Sequence, residues 1–435
     1  MLGVVVVLLA DVSFYRLSLP PLYGVPLLVP FPTFAKHHYQ LHLYLSSQSS
    51  EAWQHTYLSL LYLGRLTAAF LSGVARVSYQ MSQSRRAASR CRGGIVSSSA
   101  HVTRRYLTVK SPFLRVSEEV QQAVAEGRPV VALESTIYTH GFPYPDNIAL
   151  ASHLESIVRT GGGVPATIGV LDGVARVGLS AEEVIRLAGC AGKPATLKVS
   201  RRDLGFACGL GSPGRRYNGG TTVSGTMILA AAAGIKIFAT GGLGGVHRGA
   251  ESSMDISADL TELGRTPVAV ISSGCKSFLD IGRTLEYLET EGVPVAAFAD
   301  GRTGTVDFPA FWTRDSGIKS PMVLPDEKTA AAIIHAQLSL GLQTGLFFAN
   351  PISEAFSIPK DEMDTIIEDA IREAHAAGMS GSANTPYILA KIKELTNNKS
   401  VSANRNLIEG NVRRGTLVAK ELMELQSREE TGLTS

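Results

Sequence analysis

Four cysteines, two tryptophans and only 18% charged residues in 435 positions remove several classes of protein at the outset. Cys91, Cys190, Cys208 and Cys275 form no C-x-x-C pair, which excludes a zinc ribbon and a thioredoxin-type redox motif. In a chain long enough to bury a large core, they read as reduced thiols, not as a disulfide framework. There is no G-x-x-x-x-G-K-[ST] and no H-E-x-x-H, so P-loop and zincin chemistry are not indicated. Gly209-Leu-Gly211-Ser-Pro-Gly214 spells G-x-G-x-x-G, but no strand precedes it. Pro213, Arg215 and Arg216 would not open an apolar helix, so a dinucleotide-binding reading fails. No repeat of fixed period is present.

Negative charge is missing locally. No Asp or Glu occurs between Glu51 and Glu118, while Arg, Ser and Ala are frequent there. The net charge of +3 is therefore unevenly spread, and the chain after residue 117 is net acidic. A general nucleic-acid-binding face is not expected, although a single phosphate pocket is compatible with this balance.

With 45% hydrophobic residues and 43 glycines, what remains is an ordinary globular composition. The length allows two or three domains. Residues 1–117 form an N-terminal extension, expected to be disordered. Residues 57–77 are apolar but carry Arg65 near the middle, so a stable membrane span is not expected. From Met81 the run through Arg85, Arg86, Arg90, Arg92, Arg104 and Arg105 is rich in Arg and Ser and free of acids. That is the composition of a mitochondrial transit segment. The alternative is a plain tail on a cytoplasmic protein, with Met81 as its start.

From residue 118 the texture changes. Apolar runs at 128–133, 166–171, 196–200, 235–240, 268–272 and 293–299 read as strands. Helical periods fall at 147–160, 222–233, 276–291, 326–342, 360–377, 384–395 and 402–424, and Ser180-Ala-Glu-Glu183 is a capping box opening another helix. This alternation predicts an α/β class: one layered α/β/α domain over 118–427 with a central, largely parallel sheet.

Four stretches place polar groups where apolar strands stop, which is where open α/β sheets gather ligands. Glu134 ends the first strand, where desolvation would raise its pKa toward the range useful to a proton donor. A helix cap or an ion pair is the commoner role for such a Glu. Lys198 lies inside a strand and needs an anion such as phosphate, unless it snorkels from an edge. The glycine-rich stretch after Thr240 leads to His247, Glu251, Asp255 and Asp259. These would suit a hard divalent ion, or else be solvated acids after a turn. Lys276 follows a strand and is expected to open a helix, whose dipole would favour the neutral, nucleophilic amine.

Together, residues 132–141, 198–203, 218–223, 240–259, 276–280 and Thr385-Pro-Tyr387 make the chain similar to the pseudouridine-5′-phosphate glycosidase family. The resemblance implies reversible cleavage of the C–C bond between ribose C1′ and uracil C5, giving ribose 5-phosphate and uracil. It assigns Lys276 as the imine-forming nucleophile, Glu134 as proton donor and Asp255 as ligand of one Mn²⁺ per subunit. Lys198, Val223, Ser257, Ala258, Asp259 and Asn404 fall on substrate-binding positions, with Lys198 at the phosphate. It further implies a homotrimer and, in a chain of this length, a separate pseudouridine kinase supplying the substrate. Cys275 departs from the small residue expected before the nucleophile and would perturb it or expose it to oxidation. Residues 209–216 look like an insertion, and 379–384 and 404–411 match loosely. Alternative readings are a Schiff-base aldolase and a non-catalytic sugar-phosphate-binding protein.

Overall fold

A computed structural model of the chain describes residues 14–16, 28–30, 111–210, 217–379 and 384–430. It divides into two units, Met1–Thr103 and Arg104–Ser435. In the first, β1 (Phe14–Arg16) and β2 (Leu28–Pro30) pair antiparallel, with Phe14 opposite Pro30. Residues 57–77 and the Arg-rich segment from 81 to 105 lie outside the described residues, as do 211–216 of the inserted stretch and 380–383 of the loosely matching one. No helix among the described residues is long and apolar enough to cross a membrane.

The second unit holds the remaining strands: β3 (Leu114–Val116), β4 (Val130–Glu134), β5 (Val164–Leu171), β6 (Val174–Val177), β7 (Thr196–Val199), β8 (Asn218–Thr221), β9 (Ile237–Ala239), β10 (Val246–His247), β11 (Ala269–Ser272), β12 (Leu279–Asp280), β13 (Val295–Phe298), β14 (Val323–Leu324) and β15 (Leu346–Ala349). Its helices are α1 (Glu118–Ala125), α2 (Asp146–Thr160), α3 (Ala181–Ala188), α4 (Arg201–Gly209), α5 (Val223–Ala232), α6 (Ala250–Ser253), α7 (Ala258–Leu263), α8 (Ile281–Thr290), α9 (Glu327–Ser339), α10 (Lys360–Ala376), α11 (Asn384–Leu395) and α12 (Lys399–Glu430).

Strands β14, β13, β15, β11, β9, β4 and β5 lie side by side in that order, all parallel. Beyond β5 the direction reverses: β6 and β8 pair with it antiparallel, and β3 and β7 extend these in turn. The sheet is open, so the closed barrel expected of an aldolase is not formed. Both faces are apolar, because successive strand residues point to opposite sides. Val131 and Leu133 of β4 pack in one core with Leu154 of α2, Ile334 of α9 and Val412 of α12. Val130 and Ala132 pack in the other with Val120 of α1, Met227 of α5 and Leu260 of α7. The result is the layered α/β/α arrangement that the alternating pattern predicts.

The capping box at Ser180 forms as expected, with Ser180 and Glu183 exchanging side-chain-to-backbone bonds. Three features differ. The sheet begins before residue 118, since β3 pairs with β6 and Ser117 caps α1. The C-terminal helix is longer than 402–424, running over 32 residues. The helix expected from Lys276 starts only at Ile281, because the Asp280 carboxylate accepts the Arg283 amide and caps it there.

Candidate active site

Glu134 ends β4, and its neighbour Leu133 stands opposite Ala239 of β9. The next residue on each strand therefore meets across the sheet edge, and the Thr240 hydroxyl donates to Glu134 Oε1. Burial pushes the Glu134 carboxyl up to about 7. The Thr240 bond and the charge of Lys276 oppose the rise, Asp259 adds to it and Lys198 opposes it. Glu134 caps no helix: a π-helical turn, Ile137–Gly141, follows, with Thr136 at its start. Its position at a strand end gave the right environment, while its partner Thr240 could not be seen from sequence.

Lys276 stands in the turn between β11 and β12, without the helix dipole expected for it. Its amide donates to Leu243 O at 3.2 Å, and its Nζ donates to Gly242 O at 3.2 Å. Lys276 is thus fastened at both ends to the glycine segment after β9. Gly274 makes the turn: its φ is +77°, and a Cβ there would sit 1.9 Å from Pro309 O. Cys275 is fully buried, and burial pushes its thiol up to about 12. A neutral, enclosed thiol is poorly placed for the oxidation expected there.

Lys198 lies on β7 opposite Gly220 of β8. It is partly buried, and burial, then the charge of Lys276, pull its ammonium pKa down. No carboxylate among the described residues pairs with it. The Asn218-Gly-Gly-Thr run of β8 presses on the turn after Glu134, where a Cβ on Gly220 would meet Thr139 Oγ1 at 2.1 Å. Val223 is the first residue of α5 and is buried behind the cap formed by Thr222.

The four-residue ligand set drawn from the sequence is not assembled. Glu251 pairs with Arg283. Buried Asp259 accepts the Ser224 amide at 3.1 Å and the Gly244 amide at 3.0 Å, tying α5 to the glycine segment. Ser257 caps α7, Ala258 is its first residue, and Asp259 follows on its first turn. Asp255 and His247 alone stay together, 3.9 Å apart. The His247 pKa is lowered by burial, partly countered by Asp255. No group of three or more His, Cys, Asp or Glu side chains that could hold a metal occurs among the described residues. What the described residues offer such an ion is a single carboxylate, Asp255, beside His247.

Asn404 and Asn411 lie on α12. The Asn404 Oδ1 is buried without a hydrogen-bond partner, an acceptor a ligand donor would satisfy. Asn411, one of the loosely matching residues, is buried and fully hydrogen-bonded beside Thr240.

The family described as "Indigoidine synthase A like protein" matches residues 119–421. Pseudouridine-5′-phosphate glycosidase of Nocardioides sp. is 49% identical over 320 residues, covering 74% of this chain and 100% of the relative. The enzyme of the same name from Caldanaerobacter subterraneus subsp. tengcongensis is 50% identical, over 72% of this chain and 98% of the relative. Among solved structures, the prealnumycin C-glycosynthase AlnA in complex with ribulose 5-phosphate is similar, with a TM-score of 0.65 and 34% identity. It covers 73% of this chain and 99% of that one. An indigoidine synthase A-like protein from Thermotoga maritima has a TM-score of 0.62 and 32% identity, covering 72% and 97%.

Proposed function

This chain belongs to the pseudouridine-5′-phosphate glycosidase family, and from that premise we propose how it cleaves pseudouridine 5′-phosphate reversibly to ribose 5-phosphate and uracil. The observation that supports the mechanism is that a partly buried carboxyl and a lysine meet the same loop: the Thr240 hydroxyl donates to Glu134, and Gly242 O accepts from Lys276 Nζ.

The scissile bond joins two carbons, so protonating a heteroatom leaving group cannot release it. Lysine chemistry solves this. The Nζ lone pair of Lys276 bonds to C1′ as the C1′–O4′ bond breaks, and the proton the attacking amine sheds passes to the released ring oxygen. The nitrogen lone pair then forms the imine while the C1′–C5 electrons pass to uracil. Glu134, protonated near neutral pH, gives the proton to C5. Water hydrolyses the imine, releasing ribose 5-phosphate and the free amine. Lys198, a partly buried cation that feels Asp259 and Glu134 but makes no ion pair with either, supplies the counter-charge for the substrate phosphate. Val223, Ser257, Ala258, Asp259 and Asn404 complete the substrate site, Asp259 by fixing the backbone around it. Asp255 would hold the Mn²⁺ ion, which when bound would supply positive charge to the site.

The test is direct. Purified protein incubated with pseudouridine 5′-phosphate and Mn²⁺ releases uracil, and borohydride traps ribose 5-phosphate on Lys276. Lys276→Ala abolishes both and leaves the fold intact. Turnover by that variant would reject the mechanism, and a wild type that binds without turnover would favour the non-catalytic reading.

Homotrimer assembly and a separate pseudouridine kinase belong to the same proposal, the first checked by light scattering of the purified chain. Mitochondrial import of the basic segment is a further proposal about the quarter of the chain that the bacterial relatives do not cover. A fusion of residues 1–117 to a fluorescent protein that stays cytoplasmic would reject it.

A further inference from the structure

The last helix grips the strand ends of the catalytic edge through Asn411. Asn411 of α12 is fully buried and uses both ends of its amide. Its Nδ2 donates to Thr240 O at 2.8 Å and Gly241 O at 3.1 Å. Its Oδ1 accepts from Ser273 Oγ at 3.2 Å and Asn350 Nδ2 at 3.0 Å. Those partners follow β9, β11 and β15, so a single side chain joins three adjacent strand ends. The Ser273 amide also donates to Gly241 O, and the Asn350 amide to Ser272 O, closing the cluster.

The loop it grips hydrogen-bonds both reacting groups. The Thr240 hydroxyl donates to Glu134, and two residues on, Gly242 O accepts from Lys276 Nζ. We propose that Asn411 is a positioning residue: it fixes the 240–242 segment and thereby sets the spacing between Glu134 and Lys276. The inference rests on the roles proposed above for those two residues. Asn suits the position chemically, since two carbonyl oxygens need donors and two donors need an acceptor. Asp keeps the shape and the acceptor, but turns an oxygen toward the two carbonyls.

The test compares Asn411→Ala and Asn411→Asp with the wild type in the full chain. Borohydride trapping at Lys276 counts competent sites, so loss through misfolding is separated from loss through misplacement. Per trapped site, kcat for uracil release is expected to fall about 100-fold, as for a displacement near 1 Å. KM should stay within about threefold, because the phosphate contacts are elsewhere. A second readout is the pH at which cleavage falls off. Thr240, Tyr138, Lys276, Lys198 and Asp259 face or influence Glu134. Loosening the Thr240 bond removes a hydrogen bond to the charged carboxylate, so that midpoint moves upward. Merely losing folded protein would lower the profile without moving it. A wild-type kcat per trapped site, or an unmoved midpoint, would overturn the inference. Lys276→Ala run in parallel separates the two levels: if it still turns over, the underlying mechanism fails. If it is dead while the Asn411 variants behave as wild type, only the positioning role fails.

Discussion

Thr240 donates its hydroxyl to Glu134 across 106 residues of chain, because β4 and β9 are neighbours and both residues directly follow a register pair. This contact sits between the buried carboxyl and the loop that carries the partner of Lys276. It links Glu134 and Lys276 through one loop.

The Glu134 carboxyl, raised to about 7, should leave two pH signatures. As a proton donor it must be protonated, so cleavage falls as pH rises through about 7. Glu134→Gln is expected to lower kcat by about 10²–10⁴-fold with KM little changed. The stability sign follows from the raised value: the protonated form is favoured by the fold, and its contribution is present below 4.5 and lost as pH climbs through about 7. The Gln variant should therefore gain Tm relative to wild type between pH 5 and pH 8. A constant Tm difference across that interval would contradict the buried-carboxyl account.

Lys198→Met should act on binding. KM for ribose 5-phosphate is expected to rise at least about 30-fold, equivalent to roughly 2 kcal/mol for losing a charged partner. Inorganic phosphate should raise the Tm of the wild type and leave that of the variant unmoved. Equal protection of both would place the phosphate elsewhere.

Asp255→Asn tests the metal. One carboxylate anchors the proposed ion, so the Mn²⁺ concentration for half-maximal turnover should rise by about 10–100-fold. Chelation followed by titration of the apo enzyme measures it. The corresponding curve for Glu251→Gln should be unchanged, because Glu251 pairs with Arg283.

Cys275 should be chemically silent. Native alkylation at pH 8, read by mass spectrometry, is expected to modify the half-exposed Cys190 and Cys208 while sparing buried Cys275. Turnover should survive the treatment. Rapid labelling of Cys275 would mean that the turn before Lys276 opens.

Much of the layered fold was legible because apolar period and glycine placement are local properties. The runs at 128–133, 235–240 and 268–272 read as strands and contain β4 up to Leu133, β9 and β11, and Ser180 with Glu183 announced a helix start. Short strands such as β3 and β8 were not legible. Leu114-Arg-Val116 and Asn218-Gly-Gly-Thr221 have no strong pattern of their own, and pairing partners make them strands. Lys276 shows the same limit from the other side. Its sequence continues smoothly into a helical period, but Asp280 takes the cap and Leu243 takes the Lys276 amide.

By itself the sequence determined the class of fold, the strand ends where Glu134, Lys198 and Lys276 sit, and the candidates for each role. Tertiary structure decided which candidates act together. It gave Glu251 to Arg283, used both oxygens of Asp259 on backbone amides, and left Asp255 with His247. It also brought Asn411 from the last helix to Thr240. Local sequence sets what a residue can do within a few positions of itself. A hydrogen bond across 171 residues depends on how the sheet and helix layers close on each other.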